Sequence, residues 1–319
     1  YARFLDAIGS PIERGLEQMR LPGNLIETPD CYVPTRSLFG FVGYMADKEG
    51  IADLGFRVAH DAGVALMGAK MGAQVCRSPT LLHAMRTFCA LVSREASNFR
   101  SWYVEDQDEV RFCVHRTFKP GALGYTQTEW IGVIAMVAVV QLFAGPRWEP
   151  DRISLGTSKG VPRLARETFG GTRFLTAQPG VYIAFPRSML ALRRCEETDD
   201  PRLDVPRAPH TPYGAEEAAA DFAGRLMQCV TPHFGDGYPP ITLAAEIAGT
   251  SVRTLQRRLA ALGLSYGDVV SRARFDVASN MLTRTDAPVI EVAFATGYSD
   301  PSHFARAFRR LAGVSPRQF

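Results

Sequence analysis

The spacing of hydrophobic positions changes character several times along the 319-residue chain. Over residues 10–19, 37–48 and 78–94 apolar side chains recur every three to four positions, most clearly at Leu81, Leu82, Met85 and Phe88, which predicts helices. Residues 102–104 and 110–118 alternate instead. Val110, Phe112 and Val114 fall on one side and Arg111, Cys113 and His115 on the other, as expected of two strands flanking an acidic turn at 106–108. Residues 128–144 are apolar all round and predict a buried helix, serving as core or as a dimer face. The run 131–144, broken by Gln141, is too short to cross a bilayer. A strand at 153–155, a Gly/Ser loop, a helix at 162–169 and a strand at 181–185 complete an α+β domain over residues 1–195.

The pattern then lapses. Residues 196–213 contain four prolines (Pro201, Pro206, Pro209, Pro212), a cluster of acids and little apolar order, which reads as a linker. From 214 to 319 the period is helical throughout, beginning with an amphipathic helix at 215–230 and a Gly/Pro-rich break at 232–240.

This second region repeats itself. LAAEIAGTSVRTLQRRL, from Leu243, aligns with VAFATGYSDPSHFARAF, from Val292, at a constant separation of 49 residues. Leu243 matches Val292, Ala244 matches Ala293, Ala248 matches Gly297, Ser251 matches Asp300, Leu255 matches Phe304, Arg257 matches Arg306 and Leu259 matches Phe308. The physical reading is a helix with small residues at a close crossing, a tight turn, and a second helix opened by the N-caps Ser251 and Asp300. That is a helix-turn-helix, whose second helix reads bases in the major groove. Leu255/Leu259 and Phe304/Phe308 would hold the reading helix down. Arg253, Thr254, Gln256 and Arg257 in one copy, and Ser302, His303, Arg306 and Arg310 in the other, are then free for guanine, adenine or phosphate. The motifs are expected at about 241–262 and 288–311, joined by a linking helix at about 266–283. The alternative for the repeat is two amphipathic helix pairs that merely pack together.

Charge supports the first reading. Residues 241–319 carry ten Arg, no Lys and six acids, a net +4, whereas the first 240 residues sum to −1. A basic surplus at one end suits a polyanionic partner. Six scattered cysteines, with no CxxC and no neighbouring His at ligand spacing, argue against zinc and point to reduced thiols in the cytoplasm. No signal peptide is visible, and a start at Tyr1 suggests a trimmed N-terminus. The composition, 46% hydrophobic and 22% charged, is that of a globular protein without a membrane partner. No Ser/His/Asp, HExxH or Gly-rich nucleotide motif is present, so an enzyme with a DNA-binding tail is the weaker alternative, and an adaptor of stacked helices weaker still.

Gly297, Tyr298, Asp300, Ser302, Phe304, Arg306, Phe308, Arg309, Gly313, Ser315 and Pro316 follow the motif GF-x-D-x-S-x-F-x-R-x-F-K-x-x-x-G-x-S-P. By these residues, and by Arg274, Ala278 and Leu282 in the linking helix, the chain resembles the AraC/XylS transcription regulators over residues 215–319. Tyr298 for Phe and Ala312 for the usual Phe are departures that loosen the final packing. The first 195 residues are similar, more faintly, to the arabinose-binding-type regulatory domain, through element order and Ser78-Pro79-Thr80 before an amphipathic helix. The resemblance implies an effector-binding and dimerisation domain, a double helix-turn-helix domain, duplex promoter DNA, RNA polymerase and a second copy as partners, no cofactor, and activation of transcription.

The best local candidate for the effector is the loop 156–166, where Lys159, Arg163 and Arg166 join backbone N–H groups before a helix. These would suit an anion such as a cyclic dinucleotide. The plainer reading is a solvated loop. His60, His83 and His115 stand alone, and Trp102, Trp130 and Trp148 are expected in the core.

Overall fold

The computed structural model describes residues 2–25, 31–96, 99–116, 121–194, 200–204, 219 and 221–319. Most of the expected linker, Cys195, residues 117–118 of the expected second strand and residues 215–218 and 220 of the expected helix lie outside them. The chain forms two compact units, one of Tyr1–Ile12 with Phe39–Pro209 and one of Glu13–Leu38 with His210–Phe319.

Helices α1 (Ala2–Ala7), α2 (Ile12–Gln18), α3 (Thr35–Lys48), α4 (Leu54–Ala62), α5 (Gly68–Cys76) and α6 (Leu81–Glu95) precede the sheet. Strands β1 (Phe99–Glu105) and β2 (Glu109–Arg116) form a hairpin; α7 (Tyr125–Ala144), β3 (Arg152–Ser154), α8 (Arg163–Thr168), β4 (Arg173–Leu175) and β5 (Val181–Pro186) follow. The sheet runs β1-β2-β5-β3-β4, antiparallel except for the β3/β4 pair. Helix α6 covers β1, and Phe88 meets Phe112 edge to face at 5.6 Å. Strand β2 alternates as expected on its inner side: Val110 and Phe112 are fully buried and Val114 nearly so.

Helix α7 is buried along most of its length, with Trp130, Val133, Met136 and Val140 almost wholly covered. It starts earlier than the apolar run suggested and is long and apolar enough, by length and composition, to cross a membrane; here it is a core helix of the first unit. Trp102 does not join the core: it is 46% exposed on β1. Helices α4 and α5, the 3₁₀ turn Gly63–Met67 between them, and β4 were not anticipated. Glycines at 63, 68 and 72 break the apolar period there.

Part of the stretch read as linker is packed. Asp200 caps the 3₁₀ turn Pro201–Leu203, Leu203 is buried, and Arg202 hydrogen-bonds Asp200 and His60, all within the first unit. One leucine among prolines carries too little pattern to be read in advance.

The second unit continues with α9 (Phe222–Val230), the 3₁₀ turn Thr231–Asp236, α10 (Ile241–Ile247), α11 (Val252–Ala260), α12 (Tyr266–Arg284), α13 (Val289–Ala295) and α14 (Pro301–Ala312). Helix α9 begins later than expected because Asp221 caps it, accepting from the Gly224 N–H at 2.7 Å.

Candidate nucleic-acid interface

Two helix pairs, α10/α11 and α13/α14, are held by one rod, α12. Val269, Val270, Ala273 and Val277 of α12 enter a core with Ala244, Ala245, Leu255 and Leu259. The next residue, Ala278, enters a second core with Val292, Ala293, Phe304 and Phe308. Met281 packs against both. A capping box fixes the start of the rod: Ser265 accepts from the Asp268 N–H, and Asp268 accepts from the Ser265 N–H.

The turns differ by one residue. In the first, the Thr250 N–H bonds the Ala245 carbonyl and Gly249 has φ 60°; in the second, the Tyr298 N–H bonds the Ala293 carbonyl and Gly297 has φ 76°. Gly249 is therefore the counterpart of Gly297, and Ala245 of Ala293, a separation of 48. The caps Ser251 and Asp300 keep the separation of 49. The constant alignment was one residue out of step across the first helices, since the second turn holds an extra residue between its left-handed glycine and its cap.

Ser251 accepts from the Thr254 N–H at 3.2 Å, and Asp300 accepts from the Ser302 N–H at 2.7 Å. That backbone bond, with His303 and Arg306 nearby, holds the Asp300 carboxyl below its ordinary range. Beyond the caps, Leu255 and Leu259 are fully buried and Phe304 and Phe308 are 2% exposed. At about 100° per residue, Arg257 and Arg306 occupy the same helical position, opposite those buried pairs, and both are exposed. Arg253, Gln256, Ser302 and Arg310 are exposed beside them.

Three residues are less free than the sequence suggested. Thr254 is half-buried and its hydroxyl accepts from Ser251 at 3.0 Å. His303 Nε2 lies 3.8 Å from Asp300. Arg310 stands near Asp268, whose carboxyl is held low chiefly by Ser265 and in part by that arginine.

Arg274 of α12 is a contributor that the sequence did not explain beyond its motif. It is 9% exposed and donates from Nη2 to the Gly297 carbonyl at 2.8 Å. Its guanidinium lies 4.4 Å from the Tyr298 ring centroid, 5.1 Å from that of Tyr238 and 5.6 Å from that of Phe234.

The effector candidates divide. Lys159 and Arg163 line one cleft of about 780 Å³, shared with Asp47, Asp53, Arg57 and Gln127. Arg166 lines a neighbouring depression with Phe169, Phe174 and Thr176. Arg163 is paired with Glu167 at 2.6 Å. Three of the loop amides are already engaged within the chain. Gly156 and Thr157 donate to the buried carboxylate of Glu129 at 2.8 and 3.2 Å, and the Lys159 N–H donates to Thr157. Glu129 is in turn paired with Arg116 at 3.2 Å. At the Gly156 and Thr157 amides the chain's own carboxylate takes the place of a bound anion. Helix α8 is a six-residue segment opened by Pro162, with no side-chain cap bond. Among the described residues no group of three His, Cys, Asp or Glu could hold a metal ion.

The description "Arabinose-binding domain of AraC transcription regulator, N-term" matches residues 9–193, and "Helix-turn-helix domain" matches 244–319. The chain is 38% identical over 95 residues to the Ornithine utilization regulator of Pseudomonas aeruginosa, covering 30% of this chain and 28% of that one. It is 34% identical over 95 residues to the HTH-type transcriptional activator RhaS of Enterobacter sp. (strain 638), covering 30% and 34%. These alignments span about a third or less of the relatives' own length. The crystal structure of transcriptional regulator CdpR from Pseudomonas aeruginosa aligns over 97% of this chain and 96% of its own, at 20% identity and a TM-score of 0.42. With its first domain matched over more than half of the chain and a helix-turn-helix region behind it, the chain belongs to the AraC family of transcription regulators.

Proposed function

We propose that the chain is a sequence-specific DNA-binding activator of transcription, in which residues 214–319 read the promoter and residues 1–195 receive the signal. The observation that carries this is the matched placement of Arg257 and Arg306, each exposed opposite a buried apolar pair on helices braced by one rod. Arginine at such a position forks onto guanine O6 and N7. Arg253 and Gln256 beside Arg257, and Ser302, His303 and Arg310 beside Arg306, add base and phosphate contacts, and Thr254 adds its methyl group. Two copies of the chain act together, RNA polymerase is the partner at the promoter, and the work is done in the cytoplasm without catalysis. The effector is a small anion held by the side chains of Lys159 and Arg163 in their shared cleft.

The test is selection of duplexes from a random pool by the full-length protein. A defined site of two blocks is expected, and binding should weaken steeply with salt. Arg306→Ala should cost about 1–3 kcal/mol on the selected site and relax preference in one block, with less loss on random DNA. Equal loss on both DNAs would make Arg306 a phosphate contact; no enrichment would overturn the reading. A thermal-shift screen with anionic metabolites and cyclic dinucleotides tests the effector, since Lys159→Ala with Arg163→Ala should abolish any shift.

A further inference from the structure

Strand β1 ends the sheet, and among the described residues no strand pairs with its outer edge. The Asp106 N–H donates to the Glu109 carbonyl at 2.8 Å, closing the hairpin. Hydrogen-bonded pairs alternate from there, so Val104, Trp102 and Arg100 bond to β2. Ser101, Tyr103 and Glu105 turn their N–H and C=O groups outward. Ser101 and Tyr103 lie on the side covered by α6, where Cys89 donates to Ser101 and Arg86 to Tyr103. Trp102 and Val104 lie on the other face, 46% and 43% exposed. This edge of seven residues has no proline and carries two large exposed apolar side chains; its charged residues, Arg100 and Glu105, lie towards its two ends.

We propose that β1 pairs antiparallel with β1 of a second copy of this chain, about a two-fold axis at Tyr103. Every outward group then meets one of its kind: Tyr103 faces its own copy, and Ser101 faces Glu105. On the other face Trp102 packs against Val104, a favourable cross-strand pair. Charge selects this register. It sets Arg100 opposite Asp106, both exposed. Shifting the axis to Trp102 would set Arg100 against Val104, and shifting it to Val104 would set Trp102 against Asp106. The two five-stranded sheets become one of ten strands, with no edge left at the junction.

This deepens the two-copy reading above, and it is tested by mass in solution without DNA, so its failure is separate from any failure of DNA binding. In sedimentation velocity the full-length protein should be a dimer. Arg100→Asp and Asp106→Arg each set like charges opposite one another and should weaken the dimer at least tenfold. The double variant reverses the pair and should restore it, a result that damage to the fold cannot mimic. Trp102→Glu should give monomers with an unchanged circular dichroism spectrum. A monomeric wild type, or a dimer indifferent to both single charge reversals, overturns the proposal.

Discussion

The guanidinium of Arg274 and the carbonyl of Gly297 are joined by a 2.8 Å hydrogen bond that ties the linking helix to the turn ahead of α14. The rings of Phe234, Tyr238 and Tyr298 close around the same charge. A buried cation bonded to a carbonyl contributes about 1.5–3 kcal/mol. Arg274→Met should lose that much in chemical denaturation, and it should weaken reading by α14 more than by α11.

Gly249 and Gly297, the left-handed glycines of the two turns, are expected to respond differently to alanine. Either substitution forces a side chain into the left-handed region, at roughly 1–2 kcal/mol. A Cβ at Gly249 would meet nothing within 4 Å, whereas one at Gly297 would lie 2.7 Å from the Gly237 carbonyl oxygen, 2.8 Å from Arg274 Nη2 and 2.9 Å from the Phe234 carbonyl oxygen. Gly297→Ala should therefore cost well over about 3 kcal/mol, at the severe end of single substitutions. A thermal melt of both variants checks the contrast.

The Arg116–Glu129 pair offers a different test. Burial pushes the Glu129 carboxyl up and the Arg116 guanidinium down, while their mutual attraction opposes both shifts. Removing one partner leaves an uncompensated buried charge, so Arg116→Met should cost about 3–5 kcal/mol. Isolated pairs can often be replaced by apolar residues at no loss. Here a double Arg116→Met, Glu129→Leu variant should stay destabilised, because the Gly156 and Thr157 amides lose their acceptor.

Asp300 should leave a signature in acid. Its folded-state pKa is depressed, so its stabilisation is complete above the ordinary aspartate range and fades as pH falls through the lower folded value. Asp300→Asn should flatten that limb of a stability–pH profile. Ser251→Ala, which removes the neutral cap of α11, should cost about 1 kcal/mol at every pH.

The features legible in the sequence were those set by neighbours two to four residues away. The buried pairs Leu255/Leu259 and Phe304/Phe308 and the alternation of β2 are of this kind. What stayed hidden depended on distant partners or on weak patterning. Nothing near Gly156 announces that Glu129, 27 residues earlier, takes its amide. The small residues Ala248 and Gly297 aligned plausibly, which concealed the extra residue in the second turn. Trp102 looked like core because tryptophan usually is, and only the strand order places it at an edge.

Because α12 serves both cores, its length is a matter of phase. A single residue inserted near Ser279 would rotate everything beyond it by about 100° and advance it by about 1.5 Å. Phe275 and Ala278 would then fall out of phase with Met281 and Leu282, which share the second core, and Arg274 with the Gly297 carbonyl, so the later helix pair would lose its seat while the earlier one kept its own. The rod works as a gear, and its tooth count, more than its melting point, is what the protein cannot change.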